Sequence, residues 1–268
     1  MKSLKNYIFE SVWDIEDNIE DDNKEFVLND IKKFIGDNYY RINITHCEFV
    51  FDKKKGKHIV NYDQTVDLKR DIPQLTNGLF EWGTIKGWFS CADCSKLESL
   101  EGAPSKVNGN FYCNGCPIIS LEGAPEYVGG TFDCDRCKNL TSLEGAPEKV
   151  GNDFRCYKCN ELTSLKGAPK EVGGDFYCFE CPKLESLKGA PKEVGRNFYC
   201  HKCLKLESLE GAPKKVGGVF NCYKCIELKS LEGAPKEVGW DFDCRRCPNL
   251  HSLDGIGKVK GSIVSDIE

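Results

Sequence analysis

Pairs of cysteine separated by two residues recur eight times along this chain. Thiolates spaced in this way are common ligands of structural zinc, which takes four of them. They also form disulfides, serve as redox motifs, or pack as small apolar side chains. The paired residues are Cys91, Cys94, Cys113, Cys116, Cys134, Cys137, Cys156, Cys159, Cys178, Cys181, Cys200, Cys203, Cys222, Cys225, Cys244 and Cys247.

These pairs belong to an internal repeat that covers most of the chain. Successive pairs are 22 residues apart, except for one step of 21. The shared frame is Val-Gly-x-x-Phe-x-Cys-x-x-Cys-x-x-Leu-x-Ser-Leu-x-Gly-Ala-Pro. A unit of this length cannot bury its apolar side alone, so the repeat predicts a solenoid of stacked units. The repeated phenylalanines are Phe89, Phe111, Phe132, Phe154, Phe176, Phe198, Phe220 and Phe242.

The Phe-x-Cys segment of each repeat has the alternation of a short strand, with Phe and Cys on one face. Glycine and proline in the Gly-Ala-Pro loop exclude a long helix from the remainder. Stacking places each strand about 4.8 Å from the next and predicts a right-handed solenoid with a parallel sheet. We expect about ten strands, eight with the full cysteine pair and one degenerate strand at each end. The degenerate units contain Val66, Leu68 and Asp71, and Val259, Ile263 and Ser265.

This frame resembles the leucine-rich repeat, Leu-x-x-Leu-x-Leu-x-x-Asn/Cys-x-Leu. Phe176 and Cys178 take the places of the second and third leucines, and Cys181 takes the Asn/Cys place. Two spacings depart from the family: Val172 lies four residues before Phe176 instead of three, and two residues instead of one follow Cys181 before Leu184. The resemblance implies a leucine-rich-repeat solenoid with its parallel sheet on the concave face and loops on the convex side.

The resemblance also implies a structural role for the cysteines. The Asn/Cys position turns inward and satisfies backbone groups, while the other cysteine replaces an inward leucine; buried cysteine behaves as a small hydrophobe. The expected cofactor is therefore none. As the alternative, two stacked pairs supply the four thiolates of a zinc site, with all sixteen paired cysteines as candidate ligands. Disulfides fit the strand spacing but are opposed by a reducing compartment. A redox pair needs a helix N-terminus, which strands do not provide.

The outward positions of the strand vary from repeat to repeat, whereas the Gly-Ala-Pro loops hardly change. Several outward positions in the middle repeats hold aromatic residues. An exposed aromatic cluster with an arginine beside it is typical of protein-binding patches. The alternative is that tyrosine simply favours exposed strands. The candidate partner-binding residues are Tyr112, Arg155, Tyr157, Tyr177, Phe179, Tyr199, His201 and Tyr223.

The first 58 residues carry no repeat. We predict two helices there, the second over residues 24–38, followed by a β-hairpin; this gives an α+β N-terminal segment over 1–58. The solenoid follows over 59–268, with end caps at about 59–87 and 255–268. The first helix is predicted from the spacing of Leu4, Ile8, Val12, Ile15 and Ile19.

The composition argues against several functional classes. A net charge of −5 argues against nucleic-acid binding. No apolar run is long enough to cross a bilayer, and the N-terminus lacks the pattern of a secretory signal, so we expect a reducing cytoplasm. The chain contains no phosphate-binding loop, no Gly-x-Ser-x-Gly and no His-Glu-x-x-His. We therefore expect a protein that is not an enzyme.

The opening residues, MKSLKNYIFE, resemble the leader of head-internal proteins of large tailed bacteriophages, Met-Lys-x-x-x-x-[Tyr/Phe]-Ile-x-Glu. This resemblance implies a phage or bacterial origin, with the protein in the bacterial cytoplasm or the virion. The expected function is a protein-interaction scaffold that binds a protein partner through the concave strand face. The alternative is a structural protein whose cysteine pairs are tied together by zinc. The sequence does not predict the oligomeric state.

Overall fold

The computed structural model describes residues 21–40 and 42–267. Within them the chain has one α-helix, one short 3-10 helix and twenty-two strands. Helix α1, Asp21–Asn38, confirms the second predicted helix and begins three residues earlier than expected. The first predicted helix, from Leu4 to Ile19, lies outside the described residues.

The chain after α1 enters the solenoid through six strands. They are β1 (Tyr39–Tyr40), β2 (Cys47–Asp52), β3 (Lys57–Tyr62), β4 (Val66–Leu68), β5 (Phe80–Ile85) and β6 (Phe89–Ser90). Of these, β2, β3 and β5 are the longest, with six residues each. The 3-10 helix Ile44–His46 precedes β2, and β2 and β3 form the predicted hairpin. The predicted boundary between residues 58 and 59 falls within β3, and the division of the chain into two parts stays a prediction.

Each following coil of the solenoid contributes two strands of two residues. The strands that end in valine are β7 (Lys106–Val107), β9 (Tyr127–Val128), β11 (Lys149–Val150), β13 (Glu171–Val172), β15 (Glu193–Val194), β17 (Lys215–Val216), β19 (Glu237–Val238) and β21 (Lys258–Val259). The others begin with phenylalanine or, in the last, isoleucine: β8 (Phe111–Tyr112), β10 (Phe132–Asp133), β12 (Phe154–Arg155), β14 (Phe176–Tyr177), β16 (Phe198–Tyr199), β18 (Phe220–Asn221), β20 (Phe242–Asp243) and β22 (Ile263–Val264).

These strands form two sheets. The predicted solenoid is confirmed, and it contains a second sheet in addition to the predicted one. The phenylalanine sheet contains β1 and the even-numbered strands from β4 to β22; the valine sheet contains β2 and the odd-numbered strands from β3 to β21. In the described residues each sheet has ten parallel strands and one antiparallel strand at its N-terminal edge. Ten parallel strands were predicted for the phenylalanine sheet. The valine strand of each coil was not predicted.

Equivalent residues of successive coils lie directly opposite one another. Phe176 pairs with Phe198, and Val172 pairs with Val194. The register extends to the degenerate ends, where Val66 lies opposite Phe89 and Ile263 opposite Phe242. The core is therefore a set of columns, each made of one kind of side chain.

The phenylalanine column is the largest part of this core. Neighbouring rings from Phe89 to Phe242 stack with centroids 5.1–5.6 Å apart. Each ring is fully buried, which stabilises the fold by about 1.5–3 kcal/mol relative to an exposed side chain. The valine, cysteine and leucine columns complete one continuous cluster.

The helix and the long strands cover the N-terminal end of this core. Ile31 and Ile35 of α1 are fully buried, and the ring of Phe34 packs edge-on against Phe80. The indole Nε1 of Trp82 donates a hydrogen bond of 3.0 Å to the Tyr39 hydroxyl. The first coil is thereby shielded from water.

Glycines allow the coils to approach closely at the end of the valine strand. A Cβ atom on Gly195 would lie 2.1 Å from the carbonyl oxygen of Gly173, and one on Gly217 would lie 2.1 Å from that of Gly195. Both distances are too short for any real Cβ contact, so the column requires glycine because of close approach. In the Gly-Ala-Pro loop, Gly189 also has a positive φ of 96°.

We expect Gly217→Ala to lower the free energy of unfolding by about 1–3 kcal/mol, because a methyl group at this position must push neighbouring coils apart. Urea denaturation followed by circular dichroism measures the change.

Gly36→Ala is the matched control, since Gly36 lies in α1 with open space around its Cα. Alanine there favours the helix, so the free energy of unfolding rises by up to about 1 kcal/mol. Equal urea midpoints for Gly217→Ala and the wild type would contradict the close glycine packing.

Candidate binding surface

The paired cysteines lie inside the solenoid, as the strand pattern predicted. Their exposed fractions run from 0 to 7%. From Cys116 onward, the second thiol of each pair donates a hydrogen bond to the carbonyl of the first cysteine one coil earlier, at 3.0–3.4 Å. The Cys181 thiol, for example, lies 3.3 Å from the Cys156 oxygen. The second cysteine therefore satisfies a backbone acceptor at the turn that follows the strand.

Burial keeps the thiols of the middle coils protonated. Desolvation raises the pKa of Cys181 to about 12 and raises the pKa of Cys178 and of Cys200 well above the usual value of a thiol. The thiolate is the form that binds zinc or attacks a disulfide. Across 21–40 and 42–267, no three His, Cys, Asp or Glu side chains are placed to share one ion. The zinc alternative stays a prediction, and metal analysis of the purified protein tests it.

The residue before the second cysteine has a left-handed backbone conformation in every cysteine-containing coil. Its φ is 58° at Lys158, 54° at Glu180 and 58° at Lys202, and the equivalent residue in one coil is Gly115. The Glu180 N–H still donates to the His201 oxygen at 3.0 Å, so the ladder between coils continues into the turn. This bend brings the second cysteine inward.

Aromatic side chains stack outside the core in two further columns. Tyr157, Phe179 and His201 follow the first cysteines of successive coils, with ring centroids 4.5 and 4.4 Å apart. Tyr177 and Tyr199, on the phenylalanine strands, stack in parallel at 5.1 Å. We define the tyrosine surface as these five residues together with Arg155 and Tyr223.

Arg155 and Tyr223 lie at the two ends of this surface. The Arg155 guanidinium is 5.7 Å from the Tyr177 ring centre. Arg245 and Arg246 approach the Tyr223 ring to 5.9 and 5.5 Å. The tyrosine also lines an open cavity of about 570 Å³ with His201.

The structure thus brings together seven of the eight predicted residues and leaves Tyr112 apart. Tyr112 lies two strands before Arg155, beside the Trp88 ring, with centroids 6.3 Å apart. Its hydroxyl accepts a hydrogen bond of 2.7 Å from Asn110.

Polar residues before the phenylalanines hold the strands in place. The Asp175 carboxylate accepts the Asn197 N–H at 2.8 Å, and the Asn197 side chain accepts the Val219 N–H at 2.7 Å. The second oxygen of Asp175 accepts the Tyr177 hydroxyl at 2.7 Å and orients that ring. This role was not predicted, although recurrent Asn and Asp at one repeat position is its sequence signal.

Three buried aspartates were also missed: Asp133 and Asp153 lie beside Arg155, and Asp135 lies beside Arg136. Arg155 contacts Asp153 at 2.8 Å and Asp133 at 3.7 Å. Burial and the neighbouring Asp135 raise the pKa of Asp133 to about 6. Burial and Asp135 also raise the pKa of Tyr157 to about 12. Their sequence signal is two aspartates at adjacent outward positions of one repeat.

The chain matches no protein-family model, no curated protein and no solved structure. The resemblances to leucine-rich repeats and to phage leaders therefore stay predictions. Among the described residues, no helix has both the length and the apolar character needed to cross a membrane.

We expect Cys181→Asn to be tolerated and Cys181→Asp to be strongly destabilising. The Cys181 sulfur lies near two carbonyls, 3.3 Å from the Cys156 oxygen and 3.7 Å from the Phe179 oxygen. An amide has two N–H donors for these acceptors, whereas a buried carboxylate has none and costs about 3–5 kcal/mol. Urea denaturation of the two nearly isosteric variants measures the difference. Equal stability at pH 7 would contradict the donor role of Cys181.

We expect Asp133→Asn to stabilise the protein at pH 7.5 but not at pH 4.5. The pKa of Asp133 is about 6 when folded and about 4 when unfolded, so its stabilising contribution is present below pH 4 and lost as the pH rises through 6. Asparagine does not ionise, so the variant keeps the stability that the wild type loses when Asp133 is deprotonated. Its free energy of unfolding at pH 7.5 should be about 1–3 kcal/mol higher. Urea titrations at both pH values measure it.

The exposed Asp254→Asn variant is the control for this experiment. This variant, which removes one exposed carboxylate, should not show the gain in stability at pH 7.5 that is expected of Asp133→Asn. A pH-independent effect of Asp133→Asn would show that burial does not shift the titration of Asp133.

Proposed function

We propose that the protein is a non-enzymatic recognition scaffold that binds a protein partner through the tyrosine surface. The observation that carries this proposal is the pair of stacked, partly exposed aromatic columns, with ring spacings of 4.4–5.1 Å. Tyrosine and arginine are enriched among the residues that dominate binding energy in protein interfaces.

The solenoid holds these rings in fixed positions, which makes them suitable for binding a partner. Tyr177 is held by its hydrogen bond to Asp175 and by its stack on Tyr199. Phe179 is held between Tyr157 and His201. Because the rings are already ordered, they lose less conformational entropy when a partner binds than mobile side chains would.

His201 acts in this proposal as a flat aromatic surface. Burial, and next the charge of Lys202, lower its pKa, so the ring is neutral at pH 7. Its Nδ1 atom is buried without a hydrogen-bond partner in the part of the chain that the structure describes. A neutral ring stacks on Phe179 without carrying a charge into the interface.

The proposal extends to a phage-encoded scaffold in the cytoplasm of a bacterial host or in the virion. The resemblance of the opening residues, MKSLKNYIFE, to phage leaders supports this origin. Isolation of the protein from phage particles, followed by mass spectrometry, tests it.

We expect the triple variant Tyr177→Ser, Tyr199→Ser and Tyr223→Ser to lose partner capture while keeping its fold. The phenolic rings form the outer surface, and the buried phenylalanine column beneath is unchanged. Capture from extracts of the native host, quantified by mass spectrometry against the wild type, measures binding. Circular dichroism measures the fold.

The matched control replaces three exposed aromatic residues elsewhere, Tyr40, Tyr127 and Trp240, with serine. This variant should capture the same protein as the wild type. Capture that survives the tyrosine-surface substitutions, or that is lost equally in the control, would refute the tyrosine surface as the binding site.

A further inference from the structure

A second surface lies around the turn from the tyrosine surface. It is a groove of about 810 Å³ between two columns of side chains, one on each side of the second cysteines. We call it the turn groove. Its lining residues before the cysteines are Arg136, Lys158, Glu180, Lys202 and Lys224, and those after the cysteines are Lys138, Asn160, Pro182, Leu204 and Ile226.

The turn groove is positively charged in a chain whose net charge is −5. Five of its ten lining residues are cationic, and Glu180 is its one acidic residue. Glu180 lies between Lys202 at 2.6 Å and Lys158 at 3.6 Å, so its charge is already neutralised. Within the described residues, Lys224 has no carboxylate within 4 Å. Arg136 contacts Asp135 at 3.3 Å and is also paired. The groove still carries more positive than negative charge, with Lys224 as an unpaired cation.

Lysines on other faces of the solenoid are paired differently. Lys166 contacts Glu144 at 2.8 Å, and Lys170 contacts Glu148 at 2.6 Å, each one coil away. Other lysines outside the groove, such as Lys192, Lys214 and Lys236, have no carboxylate within 4 Å among the described residues. The turn groove differs from them because it gathers an excess of cations around a concave surface, which attracts an anionic partner.

An aliphatic strip lies beside these cations. Pro182, Leu204 and Ile226 occupy the same position in three successive coils, where earlier coils have Lys138 and Asn160. Leu204 is 39% exposed. Covering apolar surface is favourable, so the partner that fits best has apolar groups as well as negative charge.

A nucleic acid fits this combination poorly. Its phosphates would meet the Glu180 carboxylate in the middle of the groove, and its backbone has no aliphatic groups to cover the strip. A polypeptide carries both kinds of group. Lys158 and Lys202 are two coils apart, about 10 Å, which is the span of about three residues of an extended peptide.

We propose that the turn groove binds an acidic polypeptide segment that carries aliphatic or aromatic side chains between its carboxylates. The carboxylates pair with Lys224 and share Lys158 and Lys202 with Glu180, and the apolar side chains cover Leu204 and Ile226. This inference goes beyond the proposed function, because the groove shares no residue with the tyrosine surface.

The test is fluorescence anisotropy with the full chain and a labelled 12-residue peptide that has glutamate at every third position and leucine and serine between. Two further probes are the same peptide with lysine for glutamate and a 12-nucleotide single-stranded DNA. At about 0.15 M salt, we expect the acidic peptide to bind at least roughly tenfold more tightly than either. DNA that binds as tightly, or an acidic peptide that does not bind, would overturn the proposal.

Two groove variants locate the site. Lys202→Glu with Lys224→Glu should weaken the acidic peptide at least roughly tenfold. Glutamate is compatible with the left-handed conformation there, since Glu180 adopts it. Leu204→Ser with Ile226→Ser should weaken binding severalfold through the lost apolar contact.

The controls separate this groove from general charge and from the tyrosine surface. Lys214→Glu with Lys236→Glu makes the same charge change in the Gly-Ala-Pro loops and should leave affinity unchanged. The triple serine variant of the tyrosine surface should also bind the acidic peptide normally. Loss of binding in either control, with the groove variants unaffected, would place the site elsewhere.

Discussion

The register of one coil on the next is the constraint on which the rest of this structure depends. Backbone N–H groups of the phenylalanine strands donate to the following coil at each step, as from Cys178 to the Tyr199 oxygen at 2.9 Å. The short coil preserves this register, since Phe111 still lies opposite Phe132 across the 21-residue step. Its missing residue comes from the loop after Cys116, where no ladder strand is disturbed.

Close stacking then decides which side chains each column can hold. Phenylalanine stacks on phenylalanine, and glycine stacks on glycine because a Cβ atom would collide with the coil before. The cysteines fit the same logic. A thiol is small enough for the turn and still donates to the carbonyl one coil earlier, so the pairs form a hydrogen-bonded column that ties successive turns together.

Side chains on the outer surface have the same spacing from coil to coil as those in the core. Rings, carboxylates and ammonium groups at one repeat position meet their counterparts one coil away, which produces aromatic stacks and ion pairs between coils, such as Lys183 with Glu161 at 2.5 Å. Changes of residue type at a single position therefore create surfaces without altering the fold. The tyrosine surface and the turn groove both arise in this way: the first ends just before the left-handed residue of the turn, and the second includes it.

The sequence by itself determined the period, the inward phenylalanines and cysteines, and the parallel stacking, because each recurs at one position in repeat after repeat. It also predicted that Tyr177 and Tyr199 are neighbours, since equivalent positions of adjacent coils must lie side by side. Only the tertiary structure revealed the valine sheet, because a two-residue strand such as Glu171–Val172 has no alternation and its hydrogen-bond partners lie 22 residues away. The bend at Glu180, where the turn groove begins, was likewise decided by the ladder between coils, since glutamate has no preference for a left-handed backbone.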